Sequence, residues 1–274
     1  MPVISVNGIR LNYKDTGSGE PVLMVMGTGA GHRVWELHQV PALVEAGYRV
    51  ITFDNRGIPP SDECAEGFTV HDMVGDVAGL IERLGIGPCR VVGTSMGAYV
   101  AQELALARPE LVRQAVLMAT RGRSDTVRSA LAVGEIELGD SGVEPPARYR
   151  AAVQALQVLS PSTLNDDLQA KDWLDLFELT LSRGPGVQAQ LRLDPMPDRL
   201  DAYRRIGVPC LVISFADDLI TPPHHGRAVA EAIPGAIHEE LAACGHYGYL
   251  EDPAGVNKRI LAFFERDAPA GGHP

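Results

Sequence analysis

Cysteine, positive charge and long apolar runs are all scarce in this chain of 274 residues. Its four cysteines (Cys64, Cys89, Cys210 and Cys244) stand far apart and form no CxxC pair, so they offer no disulfide framework or metal-binding pair. Three lie beside apolar runs and read as buried, reduced thiols. Lys and Arg total 24 against 35 Asp and Glu, a net charge of −11. Nucleic acids and anionic membranes are bound through excess Lys and Arg, so neither is an expected partner. No apolar stretch approaches the roughly eighteen residues of a spanning helix. The opening Met1-Pro2-Val3-Ile4-Ser5-Val6 lacks the cationic flank and apolar core of a signal peptide. A cytoplasmic address is the expectation.

What is present is an ordinary globular composition, 45% hydrophobic and 22% charged. A chain of this length buries roughly 75% of its extended surface, enough for a core without staples. Short β-branched runs alternate with longer helical patterns, the mark of an α/β fold with a mainly parallel sheet. Asn7-Gly8 joins the first two strands as a hairpin turn. The run Val22–Met26 ends in Gly27-Thr28-Gly29-Ala30-Gly31, and a helix is expected over Arg33–Ala46. Thr69 should cap the next helix, which runs to Leu84. From Arg121 to Tyr203 strand signals vanish and helical leucine spacing, broken by prolines, takes over. The division expected is a core of residues 1–120 and 204–267, a helical lid over 121–203, and a disordered tail over 268–274.

Gly93-Thr94-Ser95-Met96-Gly97 is a G-x-S-x-G sequence between a strand pattern and a helix pattern. A strand turning abruptly into a helix strains the serine backbone, and flanking side chains would clash. The turn lifts the Ser95 hydroxyl clear of the sheet and puts the Met96 N–H at a helix start, where negative charge is favoured. A serine hydroxyl needs a base and an acid. Of eight histidines, His246 in Cys244-Gly245-His246-Tyr247-Gly248 follows the last strand in a glycine-rich loop. His224-His225 reads as a solvated first turn rather than a metal pair, and His32 and His38 as surface or pocket-lining. No metal site is expected. For the acid, Asp217 and Asp218 both follow an apolar strand, and either could face the imidazole.

At these residues the chain resembles the α/β-hydrolase superfamily along nearly its whole length. Ile213-Ser214-Phe215-Ala216-Asp217-Asp218-Leu219-Ile220-Thr221-Pro222 is similar to that family's acid loop, whose carboxylate stands four residues before the proline; the resemblance selects Asp218. Gly245-His246-Tyr247-Gly248-Tyr249-Leu250-Glu251-Asp252-Pro253 resembles its histidine loop. Phe53-Asp54-Asn55-Arg56-Gly57 resembles the segment after the fourth strand, although Ile58-Pro59-Pro60-Ser61 replaces the usual glycine-rich continuation. The resemblance implies a doubly wound, eight-stranded, mainly parallel sheet, and a second oxyanion donor after the third strand. Met26-Gly27-Thr28 stands where the family has His-Gly and a donor, which makes Thr28 N–H that donor beside Met96 N–H.

The Gly27–His32 stretch, with Asp54 ending the next strand, also has the outline of a dinucleotide-binding turn, but His32 stands where the third glycine belongs. No cofactor is expected. Trp35 and Tyr99 near the site, and Trp173 and Phe177 in the lid, are candidate pocket residues, each also readable as core packing. The reaction expected is hydrolysis of an ester, thioester or lactone of a small, apolar acyl substrate through an acyl-enzyme. Carbon–carbon bond hydrolysis, perhydrolysis, acyl transfer and slow-turnover ligand binding are the rival readings. The partner expected is a small-molecule substrate; a homodimer is compatible with this reading and not implied by it.

Overall fold

A computed structural model of the chain describes residues 2–180, 184–193 and 195–266. The chain opens with β1 (Val3–Val6) and β2 (Ile9–Gly17), joined at Asn7 and Gly8. Both turn residues have positive φ (47° and 79°), the twist that a two-residue hairpin requires. Next come β3 (Pro21–Val25), a 3-10 turn over His32–Leu37, α1 (Gln39–Glu45) and β4 (Arg49–Phe53). The single helix expected over Arg33–Ala46 is therefore broken at His38. Pro41 has no N–H and its ring would collide with the carbonyl four residues earlier, so a helix cannot continue into it from Arg33 and instead starts anew at Gln39, with Pro41 in its first turn.

α2 (Val70–Leu84) starts on the Thr69 cap, whose hydroxyl accepts from Asp72 N–H while the Asp72 carboxylate accepts from Thr69 N–H. β5 (Cys89–Thr94), α3 (Met96–Ala107) and β6 (Val112–Met118) follow. Helices then fill the chain as far as Tyr203: α4 (Thr126–Asp140), α5 (Ala147–Val158), α6 (Pro161–Leu164), α7 (Asp167–Thr180), α8 (Pro185–Leu191) and α9 (Leu200–Tyr203). The sheet resumes with β7 (Cys210–Phe215), α10 (Pro223–Ala232) and β8 (Ile237–Leu241), and the chain ends in α11 (Gly248–Glu251) and α12 (Pro253–Glu265). The tail expectation, residues 268–274, lies outside the described residues.

The sheet has eight strands in the order β1-β2-β4-β3-β5-β6-β7-β8. Only the β1–β2 and β2–β4 pairings are antiparallel. The inner strands are buried on both faces, so alternate residues feed opposite cores. Leu23 and Val25 join the layer with α2 and α3, while Val22 and Met24 join the layer with α1 and α12. A third, smaller apolar cluster holds the inserted helices together through Ala151, Ala155, Val158, Leu159 and Phe177. Among the described residues no helix is long and apolar enough to cross a membrane.

Candidate active site

The carboxyl ends of the parallel strands deliver the reactive groups to one edge. Ser95 follows β5 directly and takes φ 54° and ψ −121°, a strained conformation for a residue with a side chain. The turn closes so tightly that glycine is required on both flanks. A Cβ on Gly93 would lie 2.3 Å from the Gly97 carbonyl oxygen, and one on Gly97 would lie 2.1 Å from that of Val25. Strand β3 is thus pressed against the start of α3. A Cβ on Gly27 would sit 3.2 Å from Ser95 Cβ, so the Gly27-Thr28 backbone runs alongside the hydroxyl.

His246, after β8, turns its Nε2 to Ser95 Oγ at 3.0 Å and its Nδ1 to Asp218 Oδ2 at 2.8 Å. A carboxylate can only accept, so Nδ1 carries the proton and Nε2 is left as the acceptor for the serine hydroxyl. Asp218 follows β7 and is almost wholly buried. Its Oδ1 accepts from the N–H groups of Ile220 and Thr221, both at 2.8 Å, and its Oδ2 from Thr221 Oγ1 at 2.7 Å. Burial opposes its charge, but His246 and Thr221 together outweigh burial and hold the carboxyl below the usual carboxylate range. Asp217 is half-buried and its N–H donates to the Cys244 carbonyl. The structure therefore brings Asp218, not its neighbour, to the imidazole.

Thr28, Ser95 and Met96 border one narrow cleft together with Tyr99. Met96 is the first residue of α3, where a helix leaves its N–H groups without intrahelical partners. Two side chains after β4 brace the loop that carries Thr28. Asn55 donates to the Met26 carbonyl at 2.9 Å. Asp54 Oδ1 accepts from His32 N–H at 2.8 Å and faces His32 Nδ1 at 2.9 Å, while Oδ2 accepts from Asn12. Both carboxylate oxygens of Asp54 are thereby engaged, in place of the ribose contact that a dinucleotide turn would give it. Arg56 pairs with Asp76 through two bonds of 2.6 Å. From the inserted helices, Gln190 accepts from Gly29 N–H and donates to the Arg56 carbonyl, both at 2.8 Å.

Above Ser95 and His246 opens a cavity of about 1150 Å3, bordered by α4, α5, α7 and α8. Trp173 and Phe177 line it, 5.4 Å apart between ring centroids, with Tyr247 against both. Trp35 does not. It is fully buried and packs on Tyr249 at 5.2 Å, because the 3-10 turn rolls its side chain into the core. Arg128 and Glu135 of α4 also face the cavity, 3.5 Å apart. Burial pushes the Arg128 guanidinium down to about 10 and the Glu135 carboxyl up.

Two histidines are not where sequence reasoning put them. His32 is buried on Asp54, and His225 is buried with Nε2 2.8 Å from Asp125 Oδ2, so neither is solvated. His224 stacks on His225 at 4.2 Å. Among the described residues Asp125, His224 and His225 form a group whose ligand atoms lie within 4.8 Å of one another; it shares no residue with the Ser95–His246–Asp218 relay. Residues whose roles sequence reasoning missed, Asn55, Gln190 and Glu251, are polar side chains that each bond a partner far along the chain. Only the folded arrangement pairs them.

A family model described as alpha/beta hydrolase fold matches residues 20–253. The chain belongs to this hydrolase family. It is 50% identical over 257 residues to a Mycobacterium tuberculosis protein provisionally named non-heme bromoperoxidase BpoC, covering 93% of this chain and 98% of that one. The crystal structure of that relative superposes with a TM-score of 0.91, covering 93% and 96% of the two chains. A 2-hydroxy-6-oxononadienedioate/2-hydroxy-6-oxononatrienedioate hydrolase from Burkholderia vietnamiensis is 30% identical, covering 94% and 92%. An enol-lactonase from Burkholderia xenovorans has a TM-score of 0.84 at 26% identity, covering 96% and 100%. These α/β-hydrolase relatives share the fold and differ in the chemistry that their names describe.

Proposed function

We propose that this α/β-hydrolase is a serine hydrolase that cleaves an ester, thioester or lactone through an acyl-enzyme, without a cofactor. The observation that carries the reading is the unbroken relay from Ser95 Oγ to His246 Nε2 (3.0 Å) and from His246 Nδ1 to Asp218 Oδ2 (2.8 Å) at the floor of a large cavity. Ser95 attacks the carbonyl carbon as His246 takes its proton; the imidazolium then protonates the leaving group. Asp218 keeps the imidazole in the tautomer that can accept. The Thr28 and Met96 N–H groups receive the oxyanion, and water deprotonated by His246 releases the acid and restores Ser95.

The substrate is a small molecule with an apolar body. The cavity exceeds the roughly 300–1,000 Å3 of pockets that hold drug-sized ligands, so it has room for more than a short acyl chain. The test is a panel of esters and thioesters of increasing chain length, with intact-mass detection of an adduct on Ser95. Ser95→Ala is expected to lose both turnover and fluorophosphonate labelling; undiminished turnover in that variant removes Ser95 from the mechanism.

One observation favours a second reading. The relative at 50% identity carries a bromoperoxidase name, and hydrogen peroxide can replace water in attack on the acyl-enzyme, giving a peracid and free Ser95. Peracid formed from an ester and peroxide faster than acid forms from the ester in water would favour perhydrolysis.

A further inference from the structure

Glu251 lies five residues after His246 in the chain, at the end of the four-residue α11. Its carboxylate is a junction between two separate parts of the molecule. Oε1 accepts from Ser160 N–H at 2.9 Å, from Ser160 Oγ at 2.8 Å and from Thr163 Oγ1 at 2.5 Å, all at the start of α6 in the inserted helices. Oε2 accepts from the N–H of Gly245 at 2.6 Å, the residue immediately before His246. A second tie runs beside it, because Tyr247 N–H donates to the Val158 carbonyl at 3.0 Å. The residues on either side of His246 are therefore both bonded, directly or through Glu251, to the segment Val158–Thr163.

The contact is close as well as polar. A Cβ on Gly245 would lie 2.6 Å from the Val158 carbonyl oxygen and from the Leu159 carbonyl carbon. Ser160 is completely buried, so its hydroxyl and N–H cannot turn to water if Glu251 is lost. A buried donor left without an acceptor costs on the order of 1–3 kcal/mol, and charge-assisted bonds are the stronger kind. On the core side the loop is held by single bonds on either side of it, Asp217 N–H to the Cys244 carbonyl at 2.9 Å and the Gln39 amide to the Tyr249 carbonyl at 2.8 Å. Asp218 fixes the ring's tilt and tautomer, while the residues immediately before and after the ring, Gly245 and Tyr247, are fastened to the lid.

We propose that Glu251 is a positioning residue through which the inserted helices hold His246 at hydrogen-bond distance from Ser95. The inference rests on the serine-hydrolase reading above and adds to it that the lid is part of the base's support. The Val158–Thr163 end of the insertion then moves only together with the histidine loop. Substrate enters elsewhere along the cavity, where Leu37, Val143 and Tyr149 border it and are exposed.

The test compares the two sides of the junction. Glu251→Gln keeps the shape and sets an amide N–H₂ against donors on one side. The pair Ser160→Ala with Thr163→Val removes hydroxyl donors from the lid side and leaves Glu251 and its Gly245 bond in place. Each is expected to lower kcat for a p-nitrophenyl ester on the order of tenfold with KM within about twofold, and to slow fluorophosphonate labelling of Ser95 equally. The combined variant is expected to lose no more than either alone, since both break one junction; Glu251→Asp is expected to recover part of the rate. Multiplying losses, a loss confined to KM, or labelling of Ser95 at the wild-type rate in folded Glu251→Gln protein would each overturn the proposal. If Glu251→Gln does not fold, the lid-side pair decides by the same readouts. Failure of the wild-type protein to label at Ser95 at all would instead sink the reading on which it rests.

Discussion

Asp218→Asn is the substitution whose effect follows most directly from the geometry. The carboxylate meets only donors: two N–H groups of the Ile220-Thr221 turn on Oδ1, and Thr221 Oγ1 with His246 Nδ1 on Oδ2. An asparagine must turn its N–H₂ to one side or the other. Turned to the loop, it confronts two backbone N–H groups in a buried site, at about 1–3 kcal/mol for each unsatisfied donor. Turned to His246, it removes the acceptor that holds the proton on Nδ1. The proton then moves to Nε2, which can no longer accept from Ser95. The second orientation leaves the loop intact and is expected to prevail, with kcat lower by on the order of 10⁴. At about 1.36 kcal/mol per decade this is roughly 5.5 kcal/mol of transition-state stabilisation. Steady-state hydrolysis of p-nitrophenyl acetate, corrected with Ser95→Ala protein, measures it. Asp217→Asn is the control, and its effect should stay within about threefold because its side chain is half-exposed and off the relay. An Asp218→Asn enzyme within tenfold of wild type, or a crippled Asp217→Asn enzyme, would refute the assignment.

The same residue sets a pH signature. The Asp218 carboxyl is held below its usual value in the folded protein, so its stabilising contribution is complete above the unfolded pKa of about 3.9 and is lost as pH falls through the folded pKa. The gap in Tm between wild type and Asp218→Asn should therefore be constant above about pH 5 and close below about pH 4; a gap that widens on acidification contradicts this. Gly97→Ala places a methyl against the Val25 and Met26 carbonyl oxygens, at 2.1 and 2.7 Å. We expect a loss of about 3 kcal/mol, read as a Tm lower by roughly 6–12 °C; an unchanged Tm would mean that β3 and α3 are not interlocked. Arg56→Ala leaves Asp76 buried without its cation, since both side chains are almost inaccessible, and chemical denaturation should show about 3–5 kcal/mol less stability.

The sharp turn at Ser95 is legible in the sequence because its geometry needs glycines at fixed spacing, and G-x-S-x-G records that need directly. His246 stands out in a glycine-rich loop after the last strand, whereas Asp217 and Asp218 both follow the apolar β7 and only the resemblance to the family's acid loop separates them. The bracing of the site is not legible. Asn55 serves a carbonyl 29 positions away and Gln190 serves Gly29 across 161, and an isolated Asn or Gln in a sequence gives no sign of its acceptor. His225 looked solvated because it follows two prolines at a helix start; its partner, Asp125, caps a helix 100 positions earlier. Trp35 reads from the sequence both as pocket lining and as core packing, and the structure places it in the core against Tyr249, in the 3-10 turn that precedes the break at His38.

Among the ties that fasten the inserted helices to the rest of the molecule are Gln190 on the glycine loop, the Ser160–Thr163 turn on Glu251 and the Asp125 cap on His225, while other surfaces of the same helices form the walls of the cavity. Anyone redesigning the scope of this enzyme has a natural cutting pattern. The walls in α4, α5 and α7 can be exchanged as cassettes, provided that these ties, the Val158 carbonyl that receives Tyr247 N–H and the glycine contact between Gly57 and Gly186 are carried over unchanged.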